Sequence, residues 1–352
     1  MNLVALSSVE QCDQWRDAWE MLWNACPNAN PFFHPGFLIP AWRHLGDEHV
    51  QLFLFFENDV LVGLVPMQAR NRFRAIPAKW QRAYGFLHCF NDEPLAQPNT
   101  LTHILPCLEA HWRSTRAAHL FSWLRLPVDS PLHQQILQSY AADELRSVRA
   151  CLAPLADDYA PLAERLTKKK RKEFARLKRR LQDEGEVTFV ESVCEEEDPG
   201  LQDFLSLEEA SWKGEAGSAL SSNAADQRFA RDMFANMARA KKLRLYQLLL
   251  NGQCIAALTA LESGDHLYLF KISHDERLSR FSPGVLMMIE ATERWQTQSW
   301  ALIDSCAKQD HPMIDKIWHQ RRQFTRAHCS NGSLYGNLLL AFSKIITRRQ
   351  HS

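Results

Sequence analysis

Two apolar runs joined by a two-residue turn occur once in each half of the chain, and they restrict its fold more than any other feature. In the second half, Leu243 to Leu250 and Gln253 to Glu262 flank Asn251-Gly252. Asn-Gly supplies the positive φ angles that a tight hairpin needs, so these residues are predicted to pair antiparallel. In the first half, Val50 to Glu57 and Val60 to Met67 flank Asn58-Asp59 in the same way. Each hairpin follows a strand and helices and precedes mixed α and β segments. The parallel between Phe53–Gly63 and Tyr246–Ala256 suggests a duplicated fold. A chain of 352 residues is also long for one core. The join is placed where Ala153-Pro154 interrupts an apolar run, which gives domains 1–155 and 156–352.

Charge excludes some partners. Lys plus Arg and Asp plus Glu both number 41, so no global field draws the chain to nucleic acid or an acidic membrane. Nine cysteines are scattered without a C-x-x-C pair, which fits reduced thiols and no metal site. The segment Met1–Leu6 lacks the basic start and long apolar run of a secretion signal, and no membrane span is expected. The expectation is a cytoplasmic protein.

The stretch from Leu267 to Ile317 carries the densest chemistry. A strand-like Leu267–Ile272 precedes Ser282-Pro283-Gly284, a helical segment to Trp295, and the strand-like Ala301–Cys306. Ser282 suits an N-cap, Pro283 the first helical position, and Gly284 leaves the backbone open to a ligand. Helix-start amides can hold a phosphate, although most capped helices bind nothing. Asp304, Ser305, Cys306 and His311 follow as a polar cluster. Asp304 and His311 are candidates to orient or deprotonate an amine; Cys306 has no base placed against its sulfur. His311 also suits the start of a helix Met313–Gln320.

Two other segments stand out. Arg165 to Arg180 holds ten basic residues in sixteen, either a solvated helix face or an anion site, within a helix predicted over Tyr159–Glu184. Trp212-Lys213-Gly214 ends a helix predicted over Gly200–Trp212 and opens a small-residue loop that can present both side chains to a ligand. A solvated basic face and a core-anchoring Trp212 are the plain alternatives.

Taken together, Lys271 and Asp275 before Ser282-Pro283-Gly284, Asp304-Ser305-Cys306-Ala307 and His311 to Trp318 resemble the FemAB-like branch of the GNAT acyltransferases, of the cellulose-biosynthesis-associated type. Trp212-Lys213-Gly214, Arg171-Lys172 and Phe33-His34-Pro35 fit the same pattern. The resemblance implies an α/β (α+β) fold of two tandem GNAT-like domains, each a mixed, mainly antiparallel sheet flanked by helices. It implies acetyl-CoA or another acyl-CoA as cosubstrate and no metal. The pantetheine arm would lie along Leu269 and Phe270, and the pyrophosphate on Ser282, Gly284 and Val285 near Arg280. Asp304, His311 and Lys271 would be catalytic, and Trp212, Lys213, Asp275, Ser305 and Cys306 would meet a small-molecule or peptidic amine. One departure is plain: the widespread GNAT loop has two spaced glycines, whereas here Pro283 removes an amide donor. Aminoacyl-tRNA as donor, as in the Fem enzymes, is the alternative, and a non-catalytic scaffold in a surface-polymer pathway is a third.

Overall fold

The computed structural model describes residues 1–210, 220 and 223–349, and they form two compact units. One unit comprises 1–148 with 323–352, and the other 149–322. The sequence expectation placed a single cut near residue 155. The units instead divide the chain at two points, each inside a strand.

The first unit opens with β1 (Asn2–Leu6) and α1 (Arg16–Ala25). A 3₁₀ turn, Val9–Trp15, occupies the start of what the periodicity predicts as one helix to Cys26. Helix α2 (Pro35–Leu45) begins where the His34 ring accepts from the Gly36 amide at 3.0 Å. The hairpin β2 (Val50–Glu57) and β3 (Val60–Phe73) forms as expected, with Asn58 and Asp59 at φ 47° and 63°. The stretch from Phe73 to Pro94, which carries no clear period in sequence, contains a third strand, β4 (Ile76–Ala83), paired with β3. After β5 (Leu95–Ala96) come α3 (Leu101–Thr115), β6 (Leu120–Pro127), α4 (Pro131–Ser139) and β7 (Ala142–Leu152). Phe53, Val65, Trp112, Phe121, Trp123 and Ile136 form the core.

In the second unit, the basic region is two helices rather than one. Helix α5 (Leu162–Arg165) stops before Thr167, whose hydroxyl accepts from the Lys170 amide at 3.3 Å and starts α6 (Lys168–Gln182). Strand β8 (Val187–Val193) leads to α7 (Pro199–Glu209), capped by Asp198, and then to the helix Ala224–Arg239, capped by Asn223. The strands β9 (Leu243–Leu250) and β10 (Gln253–Ser263) make the predicted Asn-Gly hairpin. Strand β11 (His266–His274), the helix Pro283–Trp295 and β12 (Leu302–Asp304) complete the unit. From the end of β7 the strand order is β12, β11, β10, β9, β8, antiparallel except between β11 and β12. Its core centres on Trp295, 5.1 Å from the Tyr246 ring and 6.1 Å from that of Trp318. The buried Trp318 indole donates to Thr292 Oγ1 at 3.0 Å. Truncating such a side chain to alanine costs about 3–5 kcal/mol.

The helix expected over Met313–Gln320 is a single 3₁₀ turn, Ile314–Lys316, followed by a strand, β13 (Gln320–Ser330). The turn ends where the Trp318 amide donates to the Ile314 carbonyl at 2.8 Å and the Trp318 ring is buried in the core. Strand β13 pairs antiparallel with β6 over Phe324–Ser330, and the helix Leu334–Arg349 closes the first unit.

Candidate active site

The site grows from a strand pair that separates. Strands β11 and β12 run parallel and stay paired only through His266–Leu302, Leu267–Ile303 and Tyr268–Asp304. Just beyond, the register of β11 against β10 steps from Ala260–Leu269 to Thr259–Lys271, so Phe270 is an extra, bulged residue. A bulge bends its strand and ends regular pairing. The result is a cleft past the carboxyl ends of two parallel strands, a favoured ligand position in α/β sheets. Leu269, Phe270, Lys271 and Ile272 form one wall of a cavity of about 130 Å³, and Ser305, Cys306 and His311 the other.

A second cavity of about 350 Å³ shares Ile272 and His311 with the first and opens over the start of the Pro283–Trp295 helix. Ser282, Gly284 and Val285 line it, as do His274 and Pro312. Ser282 is not the side-chain cap its identity suggests. It adopts a left-handed backbone at φ 53°, and its hydroxyl makes no capping bond. Its carbonyl instead accepts from the Val285 and Leu286 amides at 3.0 and 3.1 Å. Pro283 has no N–H, so Gly284 supplies the first-turn amide that is not engaged in this way. A Cβ on Gly284 would sit 3.4 Å from His274 Nδ1, which leaves room for a methyl group but little more.

The electrostatics separate the roles of the clustered side chains. Lys271 is half-buried, and burial pulls its ammonium below the usual range, partly offset by Glu208 and Asp226. Asp304 is fully buried. Arg149 Nη1 donates to both its oxygens at 3.2 Å, Arg322 Nη1 lies 3.7 Å away, and the Cys306 amide donates at 2.8 Å. A carboxylate so fully engaged positions the 304–307 turn. Cys306 takes φ 50°, and burial followed by Asp304 raises its thiol well above the ordinary value, away from nucleophile chemistry. The Ser305 amide donates to the Ala150 carbonyl at 3.2 Å, and its hydroxyl accepts from Ala307 at 3.3 Å. His311 Nδ1 accepts from the Met313 and Ile314 amides, both at 3.3 Å. That bonding assigns the neutral ring's proton to Nε2, making it a donor rather than a base.

The other expected contacts lie elsewhere. Asp275 caps a 3₁₀ turn, accepting from the Arg277 amide at 2.9 Å and pairing with its guanidinium at 2.7 Å, which holds the carboxyl below its usual range. Arg280 is exposed, paired with Glu184 at 3.1 Å and stacked on Phe281, and lines neither cavity. Trp212 and Lys213 fall outside the described residues. Sequence reasoning missed Arg149 and Arg322, which are distant from Asp304 in the chain and carry no local signal. It also missed His274 against Gly284. The basic helix does reach this region: Lys170 Nζ donates to the Lys316 carbonyl at 3.1 Å, beside the turn that follows His311. Among the described residues, no group of three or more His, Cys, Asp or Glu is placed to hold a metal ion.

Most of this arrangement of diverging parallel strands and a helix-start cavity lies within a segment that matches a family model. Residues 168–311 match the family described as Acetyltransferase (GNAT) domain. The match supports a transferase. Solved structures extend the likeness to the rest of the chain. L-PGS from Bacillus licheniformis superposes with a TM-score of 0.59 at 12% identity, covering 94% of this chain and 96% of that one. The C-terminal domain of a putative lysylphosphatidylglycerol synthetase from Agrobacterium fabrum gives 0.56 at 10% identity, covering 95% and 96%. FemX gives 0.52 at 10% identity, covering 96% and 100%. At these identities the likeness is one of fold. No curated protein matches the chain in sequence.

Proposed function

We propose that the 149–322 unit is an N-acyltransferase that takes its acyl group from an acyl-CoA thioester, acetyl-CoA first among them, and delivers it to an amine. The observation that carries this reading is the parting of β11 and β12 at the Phe270 bulge, with a second cavity at Gly284 that shares the lining residues Ile272 and His311. A narrow thioester arm fits such an arrangement, and the Gly284 amide faces the pyrophosphate end. The acceptor amine attacks the carbonyl carbon; the C–N bond forms and the C–S bond breaks. Lys271, carrying a depressed ammonium pKa, accepts the amine's proton in its neutral form and returns it to the leaving thiolate. His311 Nε2–H donates to the developing oxyanion, and Asp304 holds the Ser305–Ala307 turn in register.

Calorimetry with acetyl-CoA and longer acyl-CoAs tests the donor. Gly284→Asp is expected to weaken binding about ten-fold or more, because it places a carboxylate where phosphate should sit. Gly284→Ala, which adds one methyl group, controls for folding. Equal affinity in wild type and Gly284→Asp rules out this donor site.

A second reading keeps the chemistry but draws the acyl group from aminoacyl-tRNA. The bond from Lys170 to the Lys316 carbonyl favours it by setting a helix rich in Lys and Arg beside the site. The fold likeness to FemX is consistent with it. Replacing Lys168, Lys169, Lys170 and Lys172 with Gln separates the two. Loss of tRNA binding and of its salt dependence, with acyl-CoA binding untouched, selects the tRNA donor.

A further inference from the structure

The helix Leu334–Arg349 turns an apolar face to solvent. Leu334, Leu338, Phe342 and Ile345 are 79, 60, 40 and 53% exposed, and their spacing places them along one side of the helix. Ala341 between them is exposed as well. The opposite side is occupied: Leu339 and Leu340 pack against Phe73, Ala78 and Leu120, and Ser343 and Thr347 donate to the buried Asp143 at 2.6 and 3.1 Å. A contiguous row of large apolar side chains on a surface marks a site of contact.

The exposed charge on this helix and on the hairpin it covers has one sign. Lys344 lies on the helix, and Arg348 and Arg349 follow in sequence, with no Asp or Glu from Gly332 to Arg349. The β3–β4 hairpin, whose Phe73 and Ala78 the helix covers, carries exposed Arg72, Arg74 and Lys79, again with no acidic residue from Arg70 to Ala83. Lys79 is tied to the helix start: its amide donates to His119 Nδ1, and that ring packs edge-on against Tyr335 at 5.1 Å. Tyr335 in turn donates to the Pro77 carbonyl at 2.5 Å.

We propose that this face binds the surface of an anionic phospholipid bilayer, with the apolar row entering the interface and Arg72, Arg74 and Lys344 meeting lipid phosphates. An apolar stripe bordered by cations is the pattern of interfacial helices. A two-fold pairing of two copies through the same face would set like charges against each other, so a second copy suits it less well. The neutral charge of the whole chain does not oppose this, because attraction acts within about a Debye length of the patch.

Co-sedimentation of the full chain with vesicles of phosphatidylcholine alone, or mixed with phosphatidylserine, tests the proposal. Wild type is expected to pellet with the mixed vesicles and little with the neutral ones, and less so as salt rises. Leu338→Glu with Phe342→Glu should reduce binding about ten-fold or more. Arg72→Gln, Arg74→Gln and Lys344→Gln together should flatten the preference for anionic lipid. Both sets are on the surface, and unchanged circular dichroism confirms folding; Leu334→Asn with Ile345→Asn replaces the first pair if it does not fold. Failure to bind mixed vesicles, or equal binding by wild type and the Glu variant, overturns the proposal. So does a dimer that the Glu variant dissolves in the absence of vesicle binding, since the face then serves a second copy.

Discussion

At the scale of single residues, the polar side chains of β11 and of the segment from the end of β12 onward divide into groups that bind protein and groups that face the cleft. Asp304 belongs to the first kind. Asp304→Asn removes the charge that Arg149 and Arg322 surround, and leaving buried guanidinium groups uncompensated is expected to lower stability on the order of 3 kcal/mol. Urea unfolding measures this, and an unchanged midpoint contradicts the positioning role. Lys271 belongs to the second kind. The base function proposed for it requires the neutral amine, so the rate of acyl transfer should rise with pH through a Lys271 pKa that burial has lowered. Lys271→Met should cut turnover about 100-fold or more and abolish that rising limb, while acyl-CoA affinity stays near wild type. A persisting limb in Lys271→Met assigns the base elsewhere.

At the scale of elements, turn chemistry and strand divergence carry the unit. Asn251 and Gly252 sit at φ 50° and 78°, the left-handed pair that joins β9 to β10. A Cβ on Gly252 meets nothing within 4 Å, so Gly252→Ala tests backbone conformation without steric contact. It should cost about 1 kcal/mol, read as a shift in the unfolding midpoint without a change in its slope. The break between α5 and α6 has an equally local cause, since Thr167 can cap a new helix that the long basic pattern conceals. The opposite holds at Phe270. A bulge is a mismatch between two strands, and nothing in Leu267–Ile272 taken alone announces it.

At the scale of the molecule, one buried histidine couples the first unit to pH. His328 Nδ1 and Ser122 Oγ are 2.7 Å apart, and the Trp80 indole donates to the same hydroxyl at 2.7 Å. Burial, helped by Arg326 and Arg74 and opposed by Asp143, pulls His328 from 6.5 down to about 4. The unfolded chain therefore binds a proton that the folded one refuses between these values. Stability is held above pH 6.5 and falls as pH drops toward 4, by up to about 3 kcal/mol from this group. His328→Asn keeps an acceptor near the Nδ1 position and removes the titration, so the pH slope of its unfolding free energy should be shallower than wild type across that window. Equal slopes exclude His328 as the source.

The sequence by itself determined the features whose causes are local. Both hairpins, the Pro283–Trp295 helix, the β11 strand and the alternation of strands with helices follow from turn residues and periodicity, which act over a few positions. It also singled out Lys271, His311, Ser305 and Gly284, which line the two neighbouring cavities. Tertiary structure decided what depends on distant partners. Arg149 and Arg322 turn Asp304 from a candidate base into a buried anchor, amides after His311 fix its tautomer, and Arg280 finds Glu184 instead of the cavity. It also assigned 323–352 to the first unit, through β13 against β6 and the helix over the β3–β4 hairpin. A side chain's chemistry is written in its identity, but its protonation, its partners and its exposure are properties of the space around it, which the order of residues specifies only once the chain has folded.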